Sequence, residues 1–331
     1  MAYESANLPT HFDMKTAAAA GIAAACAALD RGELVAMPTE TVYGLAADAA
    51  NAEAVGRIFL AKGRPRFNPL IAHFASLADA RRYADFSPEA EHLAAAFWPG
   101  PLTMVLPKKP DAPLADLVTA GLDTVAVRLP AHPVAHALLS AFGRPVAAPS
   151  ANRSGHVSTT TAAHVATDLG RNVSVILDAG PTLIGLESTI VGLAGDRPQL
   201  LRAGGIASQD IAEVLGTDLA LAEADDHAPA APGMLTSHYA PVAKVRLEAT
   251  AVRPGEALLA FGPDLPADTG NAIAVVNLSP GGDTTEAAVH LFSALRELDR
   301  RATAIAVMPI PDEGLGEAIN DRLRRAAAPR G

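Results

Sequence analysis

Four cations crowd into ten residues of an acidic chain. Arg57, Lys62, Arg64 and Arg66 stand with no carboxylate among them, although the 331-residue protein carries a formal net charge of -10. Like charges at this density repel unless an anion answers them. In a chain of this overall sign, that anion points to a small polyphosphate rather than a nucleic-acid backbone. Taken alone, such a cluster reads as a solvated loop. Three hydroxyl-rich segments elsewhere in the chain shift that balance.

Pro38-Thr39-Glu40-Thr41-Val42-Tyr43-Gly44-Leu45 follows the first predicted strand. It brings two threonines, a carboxylate and a phenol to the strand's carboxyl end, where an α/β sheet exposes its ligand crevice. Pro149-Ser150-Ala151-Asn152-Arg153-Ser154-Gly155-His156-Val157-Ser158 also follows a predicted strand. Its small hydroxyl and amide side chains and its glycine let backbone N–H groups approach an anion. No G-x-S-x-G elbow surrounds Ser150, which weighs against a serine nucleophile. Leu186-Glu187-Ser188-Thr189-Ile190-Val191 adds a third hydroxyl group, and Leu200-Leu201-Arg202-Ala203-Gly204 adds another arginine. Arg128 ends the apolar run from Thr124. An arginine there either caps a surface strand or grips a carboxylate with two hydrogen bonds.

Neither G-x-x-x-x-G-K-[ST] nor G-x-G-x-x-G occurs, so a polyphosphate must be held by something other than a standard nucleotide loop. C-x-x-C and H-E-x-x-H do not occur either. His132 and His136 are separated by Pro133, which starts a helix and makes a shared metal face a poor expectation. The single cysteine, Cys26, excludes an internal disulfide and fits a reducing cytoplasm. No apolar run is long and pure enough to span a bilayer. Met14 to Leu29 is alanine-rich but reads as a helix ended by Gly32, not as a signal peptide. The expected location is the cytoplasm.

The elements that must carry these segments alternate. Strands are predicted at Leu34 to Met37, Leu70 to Phe74, Leu102 to Leu106, Val125 to Leu129, Val146 to Ala148, Val175 to Leu177, Thr189 to Leu193 and Gln199 to Leu201. Helices are predicted at Met14 to Leu29, Ala52 to Ala61, Ser87 to Phe97, Pro133 to Phe142, Thr161 to Leu169 and Ser208 to Leu215. This is an α/β layer pattern. From Asp218 to Pro232 the chain turns to Ala, Asp, Glu and Pro without periodicity, which reads as a linker. Strands at Val242 to Leu247, Ala257 to Phe261, Ile273 to Val276 and Ala304 to Met308 follow it, with helices at Thr285 to Arg300 and Gly314 to Ala327. The expected division is a catalytic domain over 1–216, a linker or lid over 217–241, and a small α/β domain over 242–331.

Seven segments occur in one order: PTETVYGLAA from Pro38, KGRPRFNPLIAHF from Lys62, FWPGPLT from Phe97, TVAVRLP from Thr124, APSANRSGHVS from Ala148, ESTIV from Glu187 and LLRAGGI from Leu200. Together they resemble the threonylcarbamoyl-AMP synthase family in its two-domain form. The resemblance implies a twisted, open YrdC-like α/β domain with a concave basic surface, plus a smaller Rossmann-like α/β domain. It implies a nucleotidyltransferase that joins L-threonine, bicarbonate or carbon dioxide and ATP into threonylcarbamoyl-AMP and pyrophosphate. The product would feed a downstream tRNA threonylcarbamoyl transferase complex, with no need for direct tRNA binding or for a membrane. By the family's pattern, Thr41, His73, Arg128, Ala148 and Ser188 surround threonine. Arg64, Asn68, Thr124, Ser150, Asn152, Ser158, Arg202 and Tyr239 map to ATP, and Lys62 and Arg64 answer the phosphates. Magnesium is expected on those phosphates, with no protein ligand. The segment Ser237-His238-Tyr239 is a candidate lid. Leu235 and Thr236 depart from the basic or aromatic residues that the family often carries there.

Two rivals stand beside this expectation. An RNA-binding module would use the basic run as a clamp, against an acidic chain with one Trp and four Tyr for stacking. A carbamoyl-adenylate unit of the hydrogenase-maturation type would normally sit beside zinc-finger segments, for which one cysteine is too few.

Overall fold

The computed structural model describes residues 10–222, 229–234 and 236–329. Its strands in chain order are β1 (Thr10–Asp13), β2 (Val35–Met37), β3 (Gly44–Asp48), β4 (Ile71–His73), β5 (Leu102–Pro107), β6 (Thr124–Arg128), β7 (Val146–Ala147), β8 (Val175–Asp178), β9 (Thr189–Gly192), β10 (Gln199–Arg202), β11 (Ala220–Leu221), β12 (Lys244–Arg246), β13 (Ala257–Ala260), β14 (Val275–Asn277) and β15 (Ala304–Val307). The first eleven form one mixed sheet in the order β1-β8-β2-β3-β7-β4-β6-β5-β9-β10-β11. The last four form a separate parallel sheet in the order β12-β15-β13-β14. An α/β catalytic layer and a smaller parallel α/β unit are what the sequence led us to expect.

Local signals place the helices. Asn51 accepts a hydrogen bond from the Ala54 N–H and starts Ala52–Lys62, and Gly63 ends it in the left-handed region at φ 62°. Val55, Ile58 and Phe59 form its buried face. Ser87 caps Pro88–Phe97 in the same way, with proline in the first turn. These two helices pack on one face of the sheet; helices Met14–Asp30 and Pro133–Phe142 cover part of the other, and its remainder around Ile71, Val105 and Ala126 carries the site.

Several elements escape the sequence reading. Gly44–Asp48 is a fully buried strand, but Gly, Leu, Ala, Ala and Asp have neither β-branching nor alternation, so no period of two marks it. It forms because β2 and β7 pair with it on either side. Thr10–Asp13 pairs with β8 at one edge. Ala220–Leu221 pairs with β10 at the other edge, inside the stretch read as linker. The one-turn helices Leu77–Ala80 and Asp116–Thr119 are too short to show a helical period. Leu235 lies outside the described residues, and no described helix is long and apolar enough to cross a membrane.

The two layers share a core. Val42, Val157, Leu186 and Tyr239 join Leu259, Phe292 and Leu323 of the smaller unit in one buried apolar cluster. At its rim Arg296 grips Asp168 at 2.6 and 3.0 Å, a two-bond geometry that fixes orientation as well as distance. Gly204 fixes the approach of the loop after β10. A Cβ at that position would lie 2.4 Å from the Glu187 carbonyl oxygen and 2.5 Å from the Thr189 nitrogen. Both are backbone atoms and cannot swing aside. Gly204→Ala is expected to cost about 1–3 kcal/mol of stability, the range for overpacking, with denaturant melts of the two proteins as the measurement.

Candidate active site

Register on the large sheet assembles the site. His73 ends β4 and pairs with Arg128 at the end of the parallel strand β6. Side chains two apart share a face, so Ile71 and His73 lie on one side with Ala126 and Arg128. Ser188 immediately precedes β9, and Arg202 ends β10 beside it. Ala148, Pro149 and Ser150 leave β7 and run past Ile71, whose carbonyl accepts the Ala148 N–H at 3.0 Å. Over this face lies a strap made of residues 231–234 and 236–239. Ala231 and Met234 pack on Ile71, Val105, Ala126 and Ile190.

Between sheet and strap lies a cavity that Arg64, His73, Arg128, Ala148, Ser150, Ser188, Arg202 and Tyr239 all line. Arg64, Arg128 and Arg202 are 7%, 3% and 6% exposed, so three guanidinium groups are buried around one space. Each is held by oxygen acceptors. Arg64 donates to the Asn68 carbonyl at 3.2 Å, to Asn68 Oδ1 at 2.6 Å and to the Pro69 carbonyl at 2.7 Å. Arg202 donates to the Ser188 carbonyl at 2.8 and 3.1 Å and to the Pro232 carbonyl of the strap at 3.2 Å. Arg128 donates to Glu40 Oε1 at 2.6 Å and to the Gly100 carbonyl at 3.3 Å. Burial pushes the Arg64 guanidinium down to about 9, and Arg202 nearby adds to that fall. Burial lowers Arg202 as well. Carbonyl dipoles are therefore an incomplete answer to these charges, and an anion in the cavity would complete it.

Two neutral imidazoles join them. Burial drives His73 down to about 3, with Arg128 acting in the same direction. His73 Nδ1 lies 3.1 Å from the Ile71 carbonyl, so it carries the proton and leaves Nε2 as an acceptor. Burial holds His238 well below its ordinary range, and Arg64 adds to the shift. His238 Nδ1, the Tyr239 hydroxyl and Asn68 Nδ2 are buried without hydrogen-bond partners among the described residues. Unpaired polar atoms are costly, and a ligand would satisfy them.

The remaining residues named from the sequence stand at different distances from the cavity. Lys62 is buried and donates to the Ser150 and Asn152 carbonyls at 2.6 and 2.5 Å. Its amine braces the loop that carries Ser150. The basic run is thus split: Arg57 turns to the Gly32 carbonyl at 2.8 Å, Arg66 is exposed, and Arg64 alone of the four lines the cavity. The Thr41 hydroxyl is buried against Thr39 Oγ1 at 2.8 Å. Asn152 ties its own loop through the Arg153 and His156 carbonyls, each at 2.8 Å. Ser158 donates to Glu187 Oε1. Thr124 shares the face of Ala126 and Arg128, but it begins β6, about 13 Å along the strand from Arg128 at ~3.3 Å per residue. His132 Nδ1 accepts from the Val134 N–H at 3.2 Å as a helix cap.

Four participants were not singled out from sequence. Glu187, beside Ser188, is a carboxylate on the cavity wall. Glu40 pairs with Arg128. Gly233 gives the strap its close approach: at φ +85°, a Cβ there would sit 2.6 Å from the Tyr239 hydroxyl oxygen and 2.9 Å from Arg202 Cδ. Arg322, on helix Gly316–Ala327, reaches Glu187 from the smaller unit at 2.9 Å. The first three sit inside or beside segments already picked out. Arg322 stands in Asp-Arg-Leu-Arg-Arg, which reads as an ordinary solvated helix face.

The Sua5_yciO_yrdC family model, described as telomere recombination, matches residues 27–204. The model for the threonylcarbamoyl-AMP synthase C-terminal domain matches residues 206–328. The chain belongs to the threonylcarbamoyl-AMP synthase family. It is 43% identical to the threonylcarbamoyl-AMP synthase of Bacillus subtilis over 93% of both chains. The crystal structure of Pyrococcus abyssi Sua5 complexed with L-threonine is similar at a TM-score of 0.84 and 42% identity, across 92% of this chain and 94% of that one. A shorter relative, the threonylcarbamoyl-AMP synthase of Halorhodospira halophila, is 42% identical over 46% of this chain and 80% of its own. Too little of that chain remains unmatched for a second domain of the size seen here. The protein is thus an enzyme of the nucleotidyltransferase type, and the RNA-clamp reading falls away with the basic run split as above.

The Glu40–Arg128 pair makes acid sensitivity a measurable property of this synthase. Burial opposes the charged form of Glu40, but Arg128 beside it and backbone N–H donors hold its carboxyl below the ordinary range. A depressed folded-state value adds stability at pH above the unfolded value of about 4.3, and that stability is lost as pH falls through the folded value. Glu40→Gln is therefore expected to lower stability at neutral pH and to flatten the loss of stability below about pH 4.3. Urea melts between neutral and acidic pH measure both effects.

Proposed function

We propose that this enzyme makes L-threonylcarbamoyl-AMP and pyrophosphate from L-threonine, bicarbonate or carbon dioxide, and ATP. The observation that carries the reading is the single cavity where Arg64, Arg128 and Arg202 converge with Ser150, Ser188 and a neutral His73. The threonine ammonium loses a proton to solvent, the resulting amine attacks carbon dioxide, and a second proton leaves to solvent as the N–C bond forms, which gives a carbamate. A carbamate oxygen then attacks the α-phosphorus, and pyrophosphate leaves. No side chain forms a bond to substrate. Rate comes from holding the reactants in line and from neutralising phosphate charge.

At the threonine end, Arg128 offers its Nη1 to the carboxylate. Glu40 takes Nη2 and Gly100 takes Nε, and Nη1 makes no hydrogen bond among the described residues. Ser188, bonded to Thr103 Oγ1 at 2.7 Å, and His73 Nε2 supply acceptors for the ammonium and hydroxyl groups. At the nucleotide end, Arg64 and Arg202 bind the phosphates, with Asn68, Ser150 and Tyr239 beside them. Lys62, Asn152 and Ser158 act by fixing the loops that carry these groups. Thr124 lies further along the same face, where a nucleotide extended over Ala126 reaches. Magnesium comes with the phosphates as their counter-ion, because both oxygens of Glu187 are engaged by Ser158 and Arg322.

The cavity under the strap holds ≈ 40 Å³, room for a few waters and not for a nucleotide. Ligand pockets of about 300–1,000 Å³ are usual. Substrates enter after the strap lifts from Ile71, Val105 and Ala126. The closed strap shields the mixed anhydride from water, which would hydrolyse it. The product is passed to an enzyme that transfers the threonylcarbamoyl group to tRNA.

Incubation with ATP, bicarbonate and threonine, with pyrophosphate as the readout, tests the activity. Pyrophosphate release that does not depend on threonine overturns the reading. Arg64→Ala is expected to cut threonine-dependent release by more than about tenfold while the protein stays folded, the scale seen when a charge-stabilising donor is removed. Arg128→Ala is expected to raise the threonine KM. A change confined to the ATP KM would show that Arg128 does not hold the threonine carboxylate.

A further inference from the structure

Arg322 is 0% exposed, although it belongs to the domain that makes none of the sheet contacts of the site. It reaches into the large layer from helix Gly316–Ala327. Its Nε donates to Glu187 Oε2 at 2.9 Å, and its Nη2 donates to the Ala203 carbonyl at 2.8 Å. Nη1 stays with Asp321 at 2.6 Å. The guanidinium carbon lies 4.8 Å above the ring of Tyr239, within cation–π range. Tyr239 is buried at φ 61°, a left-handed backbone that a non-glycine residue adopts only when its surroundings hold it there. The same helix grips the strap a second way. Arg325 donates to the Met234 carbonyl at 2.9 Å, and its own carbonyl accepts the His238 N–H at 3.3 Å.

Glu187 makes this reach necessary. It is a carboxylate on the wall of a cavity whose other charged lining residues are three arginines, and it is only 5% exposed. Burial opposes its charge, yet Arg322 and Arg202, with Ser158, hold it ionised and below the ordinary range. The shorter Halorhodospira halophila relative leaves too little of its chain unmatched for a second domain of this size. Here the second domain removes the water, and it must bring the cation that replaces it.

We infer that Arg322 is a positioning residue of the active site, through which the C-terminal domain neutralises Glu187 and sets Tyr239 as the nucleotide-side wall. The inference rests on the function proposed above. With Arg322 in place, Glu187 is cancelled locally, and the field of Arg64 and Arg202 is left for phosphate. Without it, an unpaired carboxylate faces the incoming polyphosphate and Tyr239 loses its support. The loss then falls on ATP and not on threonine.

Arg322→Met keeps bulk and removes charge. It is expected to raise the ATP KM at least about tenfold, while the threonine KM stays within about threefold. Glu187→Gln in the same chain is expected to restore most of the ATP affinity, because it removes the stranded charge. A purely structural arginine would show no such rescue. Binding of a fluorescent ATP analogue reads the same affinities without turnover. An unchanged ATP KM in folded Arg322→Met overturns the inference, as does a double variant no better than the single one. Should Arg322→Met not fold, Arg322→Gln, a polar replacement that also strands the Glu187 charge, carries the test. It is expected to weaken ATP several-fold and to recover with Glu187→Gln, and equal affinities with and without Glu187→Gln overturn the inference. If the unaltered protein releases no threonine-dependent pyrophosphate, the proposed function fails. The present inference is then decided by nucleotide affinity alone.

Discussion

Burying a guanidinium group without an anion is the constraint around which this molecule is built. Moving a charge out of water costs several kcal/mol even after relaxation, unless hydrogen-bonding partners replace the water. Arg64 and Arg202 are inside with no carboxylate bonded to either among the described residues, whereas Arg128, also inside, has Glu40. The loops that surround them are shaped to deliver oxygens. The turn from Arg64 to Pro69 folds back so that two of its own carbonyls and one side-chain amide meet the guanidinium. The start of β9 presents the Ser188 carbonyl to Arg202. Lys62 follows the same logic one layer out, where its amine draws the Ser150 and Asn152 carbonyls together. The conformations of three separated segments thus follow from one electrostatic demand.

The strap is tied to that demand. Arg202 Nη1 bonds the Pro232 carbonyl, so one guanidinium can hold either the closed strap or a phosphate. A single hydrogen bond contributes about 1 kcal/mol net, and a charge-assisted bond to an anion contributes more. The exchange favours ligand when ligand is present. Gly233 permits the packing that makes this competition possible, since any side chain there would hold Arg202 and Tyr239 apart. The interface behind the strap does not take part. It is an apolar cluster shared by the two domains, pinned by Arg296 on Asp168. Under the proposed function, the strap would lift against a fixed base.

Much of this was legible in the chain, for identifiable reasons. Helices Ala52–Lys62 and Pro88–Phe97 carry caps and an apolar face that local chemistry writes directly. The strands rich in Val, Ile and Leu announce themselves. Gly44–Asp48 does not, because its strand conformation comes from its neighbours and not from its own residues. The cavity residues were found as hydroxyl-rich segments in a fixed order, and most of them meet. The pairing of cations could not be read. Lys62 and Arg64 are two residues apart and look equivalent, yet the helix ends between them, so one turns to the Ser150 loop and the other to the cavity. Arg322 was hidden for a related reason. A helix that faces solvent in sequence faces Glu187 in space only because the smaller domain docks with that side inward.

The compensation of the three arginines is uneven, and the unevenness sorts the substrates. Arg128 is paired with a full carboxylate, Glu40, at 2.6 Å. That end of the cavity is nearly neutral and suits a zwitterion, whose carboxylate meets the arginine and whose ammonium meets neutral acceptors. Arg64 and Arg202 have carbonyl oxygens, a side-chain amide and the Ser188 hydroxyl as partners, with no acid directly bonded to either among the described residues. Dipoles leave a net positive charge there, which suits a polyphosphate. Glu187 would blur the distinction if it stood free, since it lies on the wall near Arg202. Paired with Arg322 it contributes almost no net charge. The cavity keeps one balanced end and one cationic end, which under the function proposed above would steer the amino acid and the nucleotide to opposite sides of the bond they must form.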